Sequence, residues 1–180
     1  MCRLILFIEG DDDERLVKHI LTSIANETKS FIQYYQYSTK KKSSIKQYIN
    51  TIINVNNWDY FFLHDNDHHL CLTSCKEFLC DIFPFICISK LIIAIREIES
   101  WYLAGLSANL CHNIGLQYIH DTSNVTKEDF SKLFLELNND DMPNLLEFKL
   151  FIIENFDLEL AVTRNKSLEY MITCVSPALC

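Results

Sequence analysis

Apolar and polar positions along the first hundred residues form alternating blocks of two kinds. Short apolar or aromatic runs, which are typical of buried strands, occupy residues 3–9, 30–38, 58–64 and 90–99. Apolar residues at helical spacing occupy residues 12–25, 43–55 and 72–83, and a further helix begins at residue 100. Strands and helices that alternate in this way form right-handed βαβ units. We therefore expect an α/β fold with a mostly parallel sheet of about four strands and helices on both faces.

The remainder of the chain has a different pattern, which is dominated by helices. Helical spacing covers residues 126–137, 142–155 and 165–175, whereas residues 158–163 (LELAVT) predict a short last strand. We expect a core of about residues 3–105 and a helical insertion and C-terminal cap of about residues 106–180. The prediction is one domain over residues 1–180, and a boundary near residue 105 is the alternative.

Composition and charge narrow the class of protein. The 180 residues are 49% hydrophobic and include eight cysteines, none of which forms a CxxC pair. No segment predicts a membrane span, and the first apolar run is too short for a signal sequence. We therefore expect a cytoplasmic protein with reduced thiols. The formal net charge of −8 counts against a broadly basic nucleic-acid scaffold.

One local basic patch interrupts this acidity. It consists of Lys40, Lys41, Lys42 and Lys46. A patch of this kind can contact phosphates, or it can be no more than the solvated start of a helix. Both interpretations stay open at this point.

Carboxylates lie at the ends of three of the four predicted strands. They are Glu9 with the acidic run of residues 11–14, Asp65 with Asp67, and Glu97 with Glu99. Because the carboxyl ends of parallel strands meet at one edge of a sheet, we expect these side chains to lie together. Carboxylates crowded in this way raise one another's pKa unless a hard cation such as Mg²⁺ neutralises them. Taken singly, the acidic run can be a helix start and Asp-Asn-Asp can be a turn.

Two further details favour a cation site. Asp65 and Asp67 are two residues apart, so both would face one side of an extended segment. Gly10 follows Glu9, and we expect it to allow a sharp turn that leaves space beside that carboxylate.

Three segments in this order resemble the Toprim domain, and in particular small, OLD-nuclease-like Toprim proteins. They are LFIEGDDDERLVKHIL, FFLHDNDHH and IAIREIESWYLAG, and the resemblance covers residues 3 to about 105. It implies a Toprim-like fold and a metal-dependent nuclease that cleaves phosphodiester bonds of DNA or RNA with Mg²⁺ or Mn²⁺. A role in phage defence or in DNA repair follows from the same resemblance.

The resemblance also implies roles for individual residues. Glu9 would be a metal ligand or general acid/base, and Asp65 and Asp67 would be the metal-binding pair. The further metal ligands would be Asp13, Glu97 and Glu99, and the candidates for charge stabilisation at a phosphate would be Lys166 with Arg164. Since the sequence contains no GxxxxGK[ST] motif, an ATPase partner would have to be a separate chain. The resemblance leaves the oligomeric state open.

Three alternatives belong to other classes. The first is a Toprim-like regulatory or binding subunit of an ATPase-containing complex, with little activity of its own. The second is a phosphoacceptor receiver domain that would use Asp11, Asp12, Asp65 and Lys166, although it leaves Glu9 unexplained. The third is a zinc site formed among His64, His68, His69, Cys71 and Cys75, although their spacing is not that of a zinc finger.

Overall fold

The computed structural model describes residues 2–66, 69–137 and 142–179 of the chain, which divides into two compact units. One unit comprises Met1–Ala94 with Tyr170–Cys180, and the other comprises Ile95–Glu169. One domain over residues 1–180 therefore stays a prediction.

A parallel sheet of four strands forms the centre of the first unit. The strands are β1 (Arg3–Ile8), β2 (Phe31–Gln36), β3 (Trp58–Asp65) and β4 (Leu91–Ala94). Their order across the sheet is β2-β1-β3-β4, and all three pairings are parallel. The α/β class with a four-stranded parallel sheet, which the alternation of the sequence predicted, is confirmed.

A helix follows each strand. Within the described residues, the regular secondary structure of the second unit is entirely helical. The helices are α1 (Asp11–Thr28), α2 (Lys42–Ile53), α3 (Leu72–Ile82), α4 (Glu99–Ala104), α5 (Ala108–Ile114), α6 (Lys127–Glu136), α7 (Leu145–Glu154), α8 (Leu158–Arg164) and α9 (Lys166–Val175). Two short 3-10 helices cover Ile88–Lys90 and Ser176–Leu179. No described helix is both long enough and apolar enough to cross a membrane.

The central strand β1 is buried on both faces of the sheet. Residues 4–8 are at most 1% exposed, although successive side chains of a strand point to opposite faces. Phe7 packs on one face, with its ring stacked on Phe62 at a centroid distance of 4.3 Å. On that face it belongs to a cluster with apolar residues of α2 and α3. The strand therefore has a fixed position between two covered faces.

The fourth strand is shorter than the sequence predicted. Residues 90–99 were expected to be one strand, but β4 ends at Ala94, which pairs with Asp65. Its neighbour β3 ends at Asp65, so no ladder partner continues beyond that pair. Glu97 therefore lies outside the sheet, and Glu99 begins α4 instead of ending a strand.

The prediction of a last strand at residues 158–163 is wrong. These residues belong to α8, and the side chain of Asp157 caps the helix by accepting a hydrogen bond from the Leu160 N–H at 3.0 Å. An aspartate before a short apolar run is a helix-start signal. The alternating apolar residues of LELAVT concealed that signal.

Replacing Phe7 by alanine should test the importance of the central strand. We expect Phe7→Ala to lower the free energy of unfolding by about 3–5 kcal/mol, because it leaves a cavity between β1 and the stacked ring of Phe62. Urea denaturation of the whole chain measures this change.

Phe31→Ala is the matched control, because Phe31 lies on the edge strand β2 and is 47% exposed. Phe31→Ala should lower the free energy of unfolding by less than about 1 kcal/mol. Equal losses in the two variants would contradict the central position of Phe7.

Candidate functional site

The ends of three neighbouring strands bring Glu9, Tyr37 and His64 into one row. β1 pairs with β2 through Ile8 and Gln36, and with β3 through Phe7 and Phe62. Continuing each register places Glu9 beside Tyr37 on one side and beside His64 on the other. The preceding row on the same face consists of the packed rings of Phe7, Tyr35 and Phe62. The apolar face of the sheet thus ends in a polar row at the carboxyl edge.

The carboxylate of Glu9 accepts three contacts, and all of them fall on Oε1. The Asp65 N–H donates to Oε1 at 3.3 Å, the Tyr37 hydroxyl donates at 3.2 Å, and His64 Nδ1 forms an ion pair with it. The structure therefore places Glu9 beside the first residue of the Asp-Asn-Asp segment. Because these contacts engage Oε1, Oε2 is the oxygen that could bind a further group.

The pKa of Glu9 lies below its ordinary value of 4.5. Burial raises this pKa, but the hydrogen bond and charge of His64, the Asp65 N–H and the Tyr37 hydroxyl outweigh burial. The sequence argument expected crowded carboxylates to raise one another's pKa. For Glu9 that expectation is wrong, because His64 and Tyr37 stabilise the ionised form from within the chain.

Tyr37 is the residue of this site that the sequence argument missed. Its side chain is 6% exposed, and its hydroxyl lies 2.7 Å from His64 Nδ1 and 3.4 Å from the Leu63 carbonyl oxygen. Burial raises the Tyr37 pKa well above 10, and the charges of Glu9, Asp13 and Asp65 raise it further. Three of the predicted carboxylates therefore lie near one neutral hydroxyl.

Asp13 fixes the backbone at the start of α1. Its Oδ2 accepts hydrogen bonds from the N–H groups of Glu9 and Gly10 at 2.9 and 3.0 Å, and the residue is 9% exposed. This is the reach-back half of a capping box, in which a side chain in the first turn satisfies free N–H groups. Asp13 therefore positions Glu9, and its role as a metal ligand stays a prediction.

Gly10 does not make the sharp turn that we expected. Its φ and ψ are −150° and −170°, an extended conformation that any residue adopts. A Cβ atom built at this position meets no atom within 4 Å. The backbone enters α1 through the Asp13 hydrogen bonds, and the fold does not require glycine here.

The Asp-Asn-Asp segment contains a buried oxygen without a partner. Asn66 is 4% exposed, its Nδ2 donates to the His69 carbonyl oxygen at 3.2 Å, and its Oδ1 accepts no hydrogen bond from the residues that the structure describes. Buried carbonyl oxygens are rarely left unsatisfied, so this one is a candidate ligand atom. Asp67 and His68 lie outside the described residues, and the predicted role of Asp67 as a ligand remains untested.

The predicted residues of the second unit make structural contacts there. The Glu99 carboxylate is buried and accepts a hydrogen bond from Lys149 Nζ at 2.9 Å, and Glu97 accepts one from the Lys127 N–H at 2.5 Å. Arg164 is buried and donates to the carbonyl oxygens of Ala104, Leu106 and Ile119, whereas Lys166 is exposed. The contacts of Glu99 and Arg164 stabilise the unit and add no support for a role in metal or phosphate binding.

The donor atoms at this edge fit a hard cation better than zinc. Within the described residues, no three His, Cys, Asp or Glu side chains converge on one point. The oxygen donors at the carboxyl ends of the strands include the Glu9 carboxylate and the Asn66 amide, and magnesium prefers oxygen ligands. Cys71 instead caps α3, where its Sγ accepts from the Ser74 N–H at 3.5 Å. The described part of the segment therefore gives the zinc alternative no support.

No protein-family model matches the chain, and no curated protein matches it either. Solved structures similar to it are C-terminal regions of OLD proteins. The region from Burkholderia pseudomallei is 15% identical, with a TM-score of 0.47, and the match covers 100% of both chains. The region from Xanthomonas campestris pv. campestris is 11% identical, with a TM-score of 0.47, and the match covers 99% of this chain and 96% of that chain. Because the identities and TM-scores are this low, the assignment of the α/β class rests on the chain's own strand order and pairing.

Changing Glu9 to glutamine should alter stability in a pH-dependent way. Because the folded-state pKa of Glu9 is lowered, its ionised form stabilises the fold above about pH 4.5, and this contribution is lost as the pH falls through the lowered pKa. We expect Glu9→Gln to cost roughly 1 kcal/mol at pH 7, the order of a charged hydrogen bond, and almost nothing near pH 3. Urea midpoints across this pH range measure the difference.

Glu27→Gln, on the exposed surface of α1, serves as the control and should change little at any pH. A loss in Glu9→Gln that stays constant from pH 7 to pH 3 would contradict a stabilising contact with the ionised carboxylate.

Proposed function

We propose that the chain is a divalent-metal-dependent nuclease that cleaves phosphodiester bonds of DNA or RNA. The observation that carries the proposal is the row of strand ends at one sheet edge. There Glu9 is kept ionised, and it is hydrogen-bonded to the N–H of the residue that opens Asp-Asn-Asp. The resemblance of the Glu9-Gly10 and Asp65-Asn66-Asp67 segments to Toprim motifs supports the same reading. Mg²⁺ or Mn²⁺ is the proposed ion.

The chain's own residues have separable roles in this proposal. Glu9 supplies a carboxylate whose position is fixed by Asp65 and by the capping contacts of Asp13. Asn66 supplies a buried amide oxygen, and Asp65 and Asp67 would supply the remaining carboxylates. A divalent ion bound among these oxygens would stabilise the negative charge that develops on the phosphate. Tyr37 stays neutral at physiological pH, so it acts as a hydrogen-bond donor to Glu9.

One observation favours a second candidate, a Toprim-like regulatory or binding subunit. His64 Nδ1 and the Tyr37 hydroxyl already contact Glu9 Oε1, so the chain itself provides contacts to this carboxylate that an ion would otherwise provide. A site satisfied in this way needs a cation less than a bare carboxylate cluster does. Under this candidate, a separate partner, such as an ATPase, would reorganise the site.

Cleavage assays on single- and double-stranded DNA and RNA test the nuclease. We expect cleavage that requires Mg²⁺ or Mn²⁺ and falls at least ~100-fold in Glu9→Gln and in Asp65→Asn, because the ligands position the substrate as well as the ion. Asp81→Asn, an exposed position of α3 in the same unit, should cleave like the wild type.

Equal trace cleavage by the wild type and Glu9→Gln would show that a contaminant is responsible. The regulatory-subunit candidate would then be favoured, and a co-purifying ATPase would be the next partner to seek.

Two changes at Asn66 test the cation itself. Asn66→Asp should enlarge the rise in melting temperature that Mg²⁺ causes, because a charge strengthens the ligand set, while lowering stability without the ion. Asn66→Leu should reduce the Mg²⁺-dependent rise and lower metal-free stability by about 1 kcal/mol, because it also removes the hydrogen bond that Asn66 Nδ2 donates to the His69 carbonyl oxygen.

Thermal melts with and without Mg²⁺, with Ca²⁺ as a second ion, measure both effects. The same Mg²⁺-dependent rise in the wild type and both variants would exclude Asn66 from the cation site.

A further inference from the structure

The lysine patch of the first unit lies on an exposed loop and helix start. Lys40, Lys41, Lys42 and Lys46 are all exposed, and Lys42 Nζ lies 6.0 Å from the centroid of the Phe83 ring. Within the described part of the chain, no carboxylate forms an ion pair with any of the four. Four cations within seven residues therefore repel one another without internal compensation.

The position of these lysines in α2 is electrostatically unfavourable. Lys42 opens the helix, Lys41 is the N-cap residue and provides no side-chain cap, and the first turn contains no acidic residue. A helix N-terminus carries partial positive charge, so each cation placed there is destabilising. Among the described residues no ion pair offsets this repulsion, which an external anion would relieve.

The same loop is tied to the Glu9 edge of the sheet. The Tyr37 N–H donates to the Ile8 carbonyl oxygen at 2.9 Å, and Ser38 Oγ donates to the Glu9 carbonyl oxygen at 2.5 Å. The Lys40 N–H then closes a turn on the Tyr37 carbonyl oxygen at 2.9 Å. The lysines therefore begin three residues after Tyr37, whose hydroxyl contacts the Glu9 carboxylate.

An open groove continues from the lysines along α2. It has a volume of about 550 Å³ and is lined mainly by Ser43, Lys46, Gln47, Asn50, Thr51 and Asn54. None of these lining residues is a carboxylate, although the chain has 24 acidic residues and a net charge of −8. Hydroxyl and amide side chains beside lysines are the groups that contact phosphates and sugars.

From these observations we infer that the Lys40–Lys46 segment and the groove along α2 form the surface that binds the sugar-phosphate backbone of a nucleic acid. The inference rests on the proposed nuclease function, which is the reason to expect a nucleic acid at this surface. It adds the path of the nucleic acid, which would run from α2, over the lysine loop, to the Glu9 edge. The contacts are to the backbone, so binding is independent of sequence and depends on salt.

Binding without cleavage tests this surface separately from the chemistry. The full chain carrying Glu9→Gln is titrated, in EDTA, against fluorescein-labelled single-stranded and duplex oligonucleotides of mixed sequence at several salt concentrations. In this background, Lys40→Ala/Lys41→Ala/Lys42→Ala should weaken binding at least ~10-fold near 0.1 M salt and lower the slope of log K against log[salt] by about 2. Comparing single-stranded with duplex oligonucleotides identifies which form of nucleic acid the surface binds.

A charge-matched variant provides the control. Lys18→Ala/Lys127→Ala/Lys132→Ala removes three lysines on other helices and changes the net charge by the same amount. It should keep the affinity within about 2-fold and keep the salt slope. Circular dichroism and melting temperature show that each variant is folded. Equal losses in the two triple variants would overturn the inference, because binding would then follow net charge alone.

The groove has its own test. Gln47→Ala/Asn50→Ala should weaken binding several-fold while leaving the salt slope unchanged, because these side chains are uncharged. An unchanged affinity would exclude the groove from the surface. If the Glu9→Gln chain binds nucleic acid through the lysines but the wild type shows no cleavage, the binding surface would be retained and the nuclease function rejected. Cleavage that the triple lysine variant leaves unchanged would do the reverse.

Discussion

The position of β1 is the constraint on which the rest of the first unit depends. The strand is hydrogen-bonded on both sides and buried on both faces, so it can neither slide nor rotate without exposing residues 4–8. The position of Glu9, the residue that follows the strand, is therefore fixed as well. Glu9 therefore contacts Tyr37 and His64 because the backbone register of the three strands places these residues side by side.

This register explains why sequence reasoning found some of the site and missed the rest. Alternating apolar blocks predicted the strands, and acidic residues at strand ends predicted which edge would be polar. Tyr37 gave no such signal, because its importance depends on pairing β2 with β1 through Ile8 and Gln36. Asn66 was visible inside Asp-Asn-Asp, but its orphaned Oδ1 depends on burial that no local pattern reveals. The buried contact of Glu99 was hidden for the same reason, since its partner Lys149 is fifty residues away.

The engagement of Glu9 changes the physical argument for a cation. Crowded carboxylates need a cation most when nothing in the chain stabilises their ionised form, and here His64 and the hydroxyl of Tyr37 both contact the Glu9 carboxylate. An ion at this edge would compete with the His64 contact for the carboxylate, unless it used the other carboxylate oxygen. Within the described part of the first unit, the amide oxygen of Asn66 is a buried polar atom that is left without a hydrogen bond. That oxygen, more than the acidic charge, distinguishes a ligand site from a self-contained hydrogen-bond network.

Charge is distributed unevenly in this chain, and the distribution matters more than the sum. A net charge of −8 would repel a polyanion if it were spread uniformly. Screening limits that repulsion to about 8–10 Å at physiological salt, so a phosphate responds mainly to the charges next to it. The lysine loop and the carboxylate-free groove of α2 lie in the unit that carries Glu9, joined to it by the Tyr37 and Ser38 hydrogen bonds. An acidic protein can therefore present a local surface for a nucleic-acid backbone beside the edge at which we propose a cation.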